Sequence, residues 1–143
     1  RIIDILIETG YDGITLGNTS TNYETFKNSI DPRERRLFDY FTATFKGGCS
    51  GRGLKNTSLL LCVAATHHLR EFPADREFHV IRTGGIETAA DLLASDRIGV
   101  SLNQWFTGYF DAFATHGNHL YRKILDDYGK QKTIPHCKPP VPS

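Results

Sequence analysis

The chain has 143 residues, with 17 Lys and Arg against 16 Asp and Glu, and its formal net charge at pH 7 is +1. Such a balance creates no broad field of one sign and argues against nucleic acid or an anionic membrane as the partner. The longest wholly apolar run, residues 59–65, is far shorter than the roughly 20 residues of a transmembrane segment. We expect one domain whose partner is a small molecule or a protein.

The cysteines and the two chain ends suggest a context. Cys49, Cys62 and Cys137 form neither an even set nor a CxxC pair, which argues against a disulfide framework or a zinc ribbon. We therefore expect a reducing compartment, mitochondrial or cytoplasmic, and no secretion. A start at Arg1 indicates a piece of something larger or a processed product. The proline-rich residues 130–143 predict an extended tail after a domain of residues 1–129.

The hydrophobic pattern predicts alternating strands and helices. Residues 1–9 suit either a buried strand or a helix face. Strands are predicted over 12–18, 78–85 and 99–106, and helices over 56–72 and 86–98. This alternation favours an α/β fold with parallel strands, as an open doubly wound sheet or as part of a (β/α)8 barrel.

Two segments depart from the alternation. Residues 19–46 separate the first strand from the next glycine cluster, and a loop of that length is usually functional or an embellishment. Residues 107–128 predict a helix in two pieces, with Gly117 between them.

The predicted strands end in small or polar residues, GNTS at 17–20, TGG at 83–85 and FTG at 106–108. In parallel sheets, ligands gather at these carboxyl ends, where helix N-termini present free N–H groups. Gly84 and Gly85 would let the backbone approach an anion there. Taken alone, however, a glycine pair is more often only a tight turn.

Other clusters give weaker signals. The stretch KGGCSGRGL at 46–54 does not match a P-loop, so it is either a ligand-covering loop or a flexible connector. The histidine pairs 67/68 and 116/119 have poor metal-binding geometry, and we predict no metal site. Cys49 lacks an obvious activating histidine, which favours a small loop residue over a nucleophile.

Four motifs, DGITLGNTST, GGCSGRGL, VIRTGGIETAADLL and IGVSLNQWFTG, resemble in order and spacing the C-terminal portion of dihydroorotate dehydrogenases. These enzymes are FMN-dependent (β/α)8 barrels of pyrimidine biosynthesis. The resemblance runs to about residue 126 and implies that the strands are the sixth, seventh and eighth of the barrel. The glycine-serine-glycine loop resembles the membrane-linked, quinone-using class, whereas TGGIET resembles the soluble class.

The resemblance also implies a cofactor site at the strand ends. Gly51 matches the glycine of a Ser-Gly step near FMN. Gly84 and Gly85 match the glycines at the flavin phosphate, and Phe106 and Thr107 match a Tyr-Thr pair that completes the phosphate cradle. This placement agrees with the phosphate sites of barrels, in the loops after strands seven and eight.

Asn18 and Thr19 match the Asn-Thr pair that hydrogen-bonds the orotate ring, so the resemblance implies a substrate site there. The family's catalytic base and its flavin-proximal lysine belong to the N-terminal part of the barrel, and no residue here matches them. We therefore identify no catalytic residue in this chain.

Three departures mark a divergent member. Gly17 stands where the family usually has a Thr or Ser that touches the flavin, and Phe106 lacks the tyrosine hydroxyl. Arg82 replaces a small residue just before the glycines, where it would either neutralise a phosphate or fill the space that FMN needs.

These observations leave three hypotheses. The first is the C-terminal part of a dihydroorotate dehydrogenase-like flavoenzyme, completed by a companion chain, because a full barrel needs about 250 residues. The second is a non-catalytic descendant, retained as a structural subunit of a larger, mitochondrial assembly. The third is an unrelated small α/β ligand-binding module.

Overall fold

The computed structural model describes residues 2–133. The helices are α1 (Ile2–Glu8), α2 (Tyr23–Lys27), α3 (Arg35–Phe45), α4 (Lys55–Glu71), α5 (Ala89–Ile98), α6 (Thr107–His116) and α7 (Leu120–Lys132). The strands are β1 (Gly13–Gly17), β2 (His79–Thr83) and β3 (Leu102–Gln104). Across these residues, no helix has both the length and the apolar character needed to cross a membrane.

The three strands form one open sheet in the order β1-β2-β3, and both pairings are parallel. In register, Gly17 lies opposite Thr83, and Thr83 lies opposite Gln104. The predicted α/β fold with parallel strands is therefore confirmed. The three carboxyl ends lie side by side at one edge of the sheet, and the loops that follow them meet there.

The hydrophobic core lies between the sheet and the helices on one of its faces. Alternate residues of a strand point to opposite faces, and in β2 the buried residues are Val80 and Arg82. Val80 belongs to a cluster with Ile3 of α1 and with Cys62 and Ala65 of α4. The ambiguous first segment is thus a helix that covers this core.

The segment 19–46 is not a plain loop, because it contains α2 and α3. The α2 and α3 helices are held together by an ion pair, with Lys27 Nζ 2.8 Å from an Asp39 carboxylate oxygen. Leu37, Phe41 and Phe45 of α3 remain exposed. The charged DPRERR stretch leads into the start of α3, where the pattern of apolar residues becomes helical.

The C-terminal helices match the predicted two-piece arrangement. The α6 helix ends at His116, a short 3-10 turn follows from Gly117, and α7 runs on to Lys132. The α7 helix therefore includes residues 130–132, which the sequence pattern assigns to the tail. Thr133 is the last described residue, and residues 134–143 of the predicted tail lie outside the described residues.

Removing part of the Val80 side chain should weaken the contact between β2 and α4. Val80 is only 2% exposed, and truncation of a buried aliphatic side chain loses transfer free energy and leaves a cavity. We expect Val80→Ala to lower the free energy of unfolding by roughly 2 kcal/mol, measured by urea denaturation. Val63→Ala, at an α4 position that is 39% exposed, is the matched control, and an equal loss there would contradict this packing.

Candidate functional site

A cavity of about 240 Å³ lies at the carboxyl ends of the three strands. Every residue that the resemblance assigns to a site lines this cavity, together with neighbouring residues of the same loops. The lining residues are Asn18, Thr19, Ser50, Gly51, Thr83, Gly84, Gly85, Ile86, Trp105, Phe106, Thr107 and Gly108.

The loop after β1 is held against β2 by a left-handed turn. Asn18 has φ of 76°, a conformation that asparagine tolerates better than most residues. Its backbone N–H donates to the Thr83 carbonyl over 2.9 Å. This bond places Asn18 and Thr19 at the cavity wall, beside the end of β2.

The glycine-rich stretch 46–54 covers the cavity and is fastened on both sides. Cys49 and Ser20 exchange backbone hydrogen bonds of 3.0 and 2.8 Å. On the other side, the Ser50 and Thr107 hydroxyl oxygens are 2.8 Å apart. Gly51 has φ of 86°, and a Cβ there would lie 3.1 Å from Thr107 Cγ2. These attachments favour the covering loop over the flexible connector.

The glycine pair after β2 serves packing as well as the site. Gly84 and Gly85 have φ of 99° and 74°, in the region where a Cβ is strained. A Cβ on Gly85 would also lie 2.3 Å from the backbone nitrogen of Lys55. Glycine is therefore required at 85 by the start of α4, whether or not a ligand binds.

The cavity wall at the glycine pair is rich in free backbone donors. The N–H groups of Gly84 and Gly85 donate no hydrogen bond within residues 2–133. Thr107 and Gly108 begin α6, and the first N–H groups of a helix lack intrahelical acceptors. Such convergent N–H groups attract anions such as phosphate.

A capping box fixes the start of α5 next to the glycines. The Asp91 carboxylate accepts hydrogen bonds from the backbone N–H groups of Thr88 and Glu87, at 2.9 and 3.1 Å. It also lies 3.1 Å from Lys55 Nζ. Burial opposes its ionisation, but the hydrogen bonds from Thr88 and Lys55 prevail and keep the pKa of Asp91 below its ordinary value.

Arg82 does neither of the things that the sequence suggests, because its side chain lies outside the cavity. It is fully buried on the other side of the β2 backbone, against α4 and α5. Its guanidinium donates to Ser58 Oγ, Ser95 Oγ and the carbonyls of Lys55 and Asp91, over 2.9 to 3.2 Å. The expectation that Arg82 either binds a phosphate or fills the space of FMN was wrong. Successive side chains of a strand point to opposite faces, so Arg82 points away from the cavity that Thr83 lines.

The cavity has no acid or base of its own, since none of its lining residues is ionisable. Cys49 lies beside it, and burial raises the pKa of the Cys49 thiol, which disfavours the reactive thiolate. Among residues 2–133, no group of His, Cys, Asp and Glu side chains could hold a metal ion. The described part of the chain can thus bind and orient a ligand, but it supplies no proton-transfer group at this cavity.

The residues that the resemblance assigns to the site leave out several lining residues, including Ser50, Ile86 and Trp105. Each of these three is the immediate neighbour of an assigned residue within the same motif, so the sequence does give a signal for them. Ser58, which contacts the Gly84 carbonyl from α4, has no such signal because it lies inside a helix.

No family model matches the chain. In sequence, it is similar to the dihydroorotate dehydrogenase (quinone) of Thermobifida fusca (strain YX), with 35% identity over 107 residues. In structure, it is similar to DHODH from Eimeria tenella in complex with ferulenol, with a TM-score of 0.61 and 25% identity. The sequence match covers 75% of this chain and 25% of the relative, and the structural match covers 93% of this chain and 31% of that chain.

The parallel sheet and its flanking helices match part of a (β/α)8 barrel. Together with the two similarities, they show that the chain belongs to the dihydroorotate dehydrogenase family. It is a divergent member that corresponds to the C-terminal region of the barrel, and it spans about a quarter of the length of the curated relative.

The stability supplied by Asp91 should depend on pH. Because the folded-state pKa lies below its ordinary value, this stabilisation is present above the unfolded-state pKa of about 4 and is lost as pH falls through the lower folded value. We expect Asp91→Asn to cost about 1 kcal/mol at pH 7, measured by urea denaturation, and the difference from wild type to shrink below pH 4. The exposed residue Asp111, changed to Asn, should alter stability little at either pH, and a pH-independent Asp91 difference would refute the interpretation.

Gly85→Ala should destabilise the chain without any ligand. The new methyl group would meet the Lys55 backbone and strain a positive φ, so we expect a loss of roughly 2–4 kcal/mol in the free energy of unfolding. At Gly129 of α7 a Cβ meets nothing within 4 Å, so Gly129→Ala should stabilise the chain by about 0.5–1 kcal/mol. Thermal unfolding of both variants without ligand is the measurement, and an unchanged midpoint for Gly85→Ala would disprove the close approach.

Proposed function

We propose that the chain is the phosphate-binding part of a dihydroorotate dehydrogenase-like flavoprotein, which oxidises dihydroorotate to orotate with FMN in pyrimidine biosynthesis. A companion chain completes it. The observation that carries this proposal is the convergence of Asn18, Gly51, Gly85 and Thr107, from loops far apart in sequence, on one cavity.

The cavity suits the phosphate end of FMN. Ligand pockets usually measure about 300–1,000 Å³, so a cavity of 240 Å³ accommodates only one end of such a cofactor. The Gly84 and Gly85 amides and the start of α6 offer N–H donors, and Thr107 offers a hydroxyl. Phe106, which is 73% exposed, presents an apolar ring at the rim.

Binding and orientation are the tasks of this chain's own residues. Asn18 supplies an amide and Thr19 a hydroxyl for the substrate ring, while Ser50 and Gly51 cover the cavity from the other side. FMN supplies the hydride acceptor when it is bound. The proton acceptor must come from outside this cavity wall, because no lining residue is ionisable.

The exposed surfaces of the sheet support a companion chain. The sheet is open, so one edge of β1 and one edge of β3 have no strand partner within residues 2–133. Leu102 of β3 is 58% exposed. Unpaired strand edges and exposed apolar side chains are aggregation hazards unless another segment covers them.

The second candidate is a non-catalytic structural subunit of a larger, mitochondrial assembly. It is favoured by Gly17, which offers no side chain where the family usually has a hydroxyl, and by Phe106, which lacks the hydroxyl of the family's tyrosine. The two candidates differ in flavin binding, which decides between them. Either function suits a reducing compartment, since Cys49 and Cys62 are free thiols.

The Thr107 hydroxyl should contribute to flavin binding. In a titration with FMN of the chain purified together with its companion chain, followed by flavin fluorescence, we expect Thr107→Val to weaken binding by roughly tenfold, about the free energy of one hydrogen bond. Thr115→Val, on the same helix but away from the cavity, is the control and should bind as wild type does. Failure of the wild-type chain to bind FMN in the presence of its companion chain would reject the flavoprotein and leave the structural subunit.

A further inference from the structure

Arg82 and Ser58 connect the interior of the domain to the cavity wall. Arg82 Nε donates to Ser58 Oγ over 3.0 Å, and Ser58 Oγ donates to the Gly84 carbonyl over 2.8 Å. Both side chains are completely buried. The Gly84 carbonyl belongs to the same peptide group as the Gly85 N–H. The hydrogen bonds from Arg82 through Ser58 therefore lead to a peptide group of the cavity wall.

Arg82 also determines where the Ser58 proton goes. A hydroxyl has one proton, and the Ser58 hydroxyl has two carbonyls in reach, Gly84 at 2.8 Å and Lys55 at 3.2 Å. Arg82 Nη2 already donates to the Lys55 carbonyl over 2.9 Å, and Arg82 Nε occupies a lone pair of Ser58 Oγ. The proton is therefore directed to the Gly84 carbonyl.

The fixed carbonyl orients the amide on the other side of the same peptide bond. The described residues contain no cis peptide, and in a trans peptide the C=O and N–H groups point in opposite directions. The Gly84 carbonyl points towards α4 because Ser58 holds it there. The Gly85 N–H therefore points away from α4, and it donates no hydrogen bond within residues 2–133.

We propose that Arg82 and Ser58 are positioning residues that hold the Gly84–Gly85 peptide in the orientation in which its N–H binds a phosphate group. This inference rests on the proposed function, because it assigns a phosphate to the same cavity. On this inference, Arg82, which replaces a small residue of the family, acts on the site through Ser58 and does not touch the ligand.

Ser95 provides a matched control. Like Ser58, it is completely buried and accepts a hydrogen bond from Arg82 over 3.0 Å. Unlike Ser58, it donates to the Asp91 carbonyl within α5, over 3.1 Å, and does not touch the glycines. The two serines thus share their environment and their bond to Arg82, and they differ in the contact with Gly84.

The test compares Ser58→Ala with Ser95→Ala in the chain purified together with its companion chain, with inorganic phosphate as the probe. Calorimetric titration gives the phosphate affinity, and NMR follows the Gly85 amide resonance. We expect Ser58→Ala to weaken phosphate binding by about five- to tenfold, the effect of one mispositioned hydrogen bond, and to abolish the phosphate-induced shift of the Gly85 amide. Ser95→Ala should change the affinity by less than about twofold, although it costs similar stability.

Equal affinities of the two variants would overturn the proposal, as would a Gly85 amide that does not respond to phosphate in the wild-type chain. If Ser58→Ala fails to fold, Ser58→Cys replaces it, because a thiol fills the site but donates weakly, and the same loss of affinity is expected. A wild-type chain that binds no phosphate overturns both this inference and the proposed function. Phosphate binding that depends on Ser58, without FMN binding, supports the inference and rejects the flavoprotein.

Discussion

The buried guanidinium of Arg82 is the interaction on which the arrangement of the domain depends. Its four hydrogen bonds reach Lys55 and Ser58 of α4 and Asp91 and Ser95 of α5, so one side chain of β2 ties both crossover helices to the sheet. Burial lowers its pKa from the ordinary value, and the charge of Asp91 partly offsets this effect. A buried cation is costly unless its donors find acceptors, and here neutral oxygens from two helices accept four hydrogen bonds from the five N–H groups of the guanidinium.

The order of elements and the convergence of the motifs could be predicted from sequence. Alternating runs of apolar residues gave the parallel sheet, and parallel strands bring their carboxyl ends to one edge, so Asn18, Gly85 and Thr107 had to lie near one another. The direction of Arg82 could also be read from strand alternation, yet the proximity of the glycines made it look like a site residue. The α2 helix was missed because it has only five residues, whereas the apolar residues of α3 have helical spacing and did offer a signal.

The glycines show why a motif alone does not establish a ligand. A glycine followed by a helix start is what a phosphate cradle needs, and it is also what close backbone packing needs. At Gly85 the structure contains the second cause, since the Lys55 backbone occupies the place of a Cβ. Evidence for a ligand must therefore come from the neighbouring N–H groups, which donate to no acceptor within residues 2–133, because the Thr107 hydroxyl already has a partner in Ser50.

The departures at Gly17 and Arg82 are linked through Ser58. A Cβ on Gly17, at φ of 103°, would lie 1.9 Å from the Thr83 carbonyl oxygen and 3.0 Å from Ser58 Cβ. Arg82 holds Ser58 against the sheet through Ser58 Oγ, so Ser58 is one of the two groups that leave no room for a side chain at residue 17. The Thr83 carbonyl, which belongs to the neighbouring strand, is the nearer of the two. We infer that a hydroxyl-bearing residue at 17 requires the end of β1 to change its backbone path, because a movement of α4 alone would leave the contact with Thr83 in place.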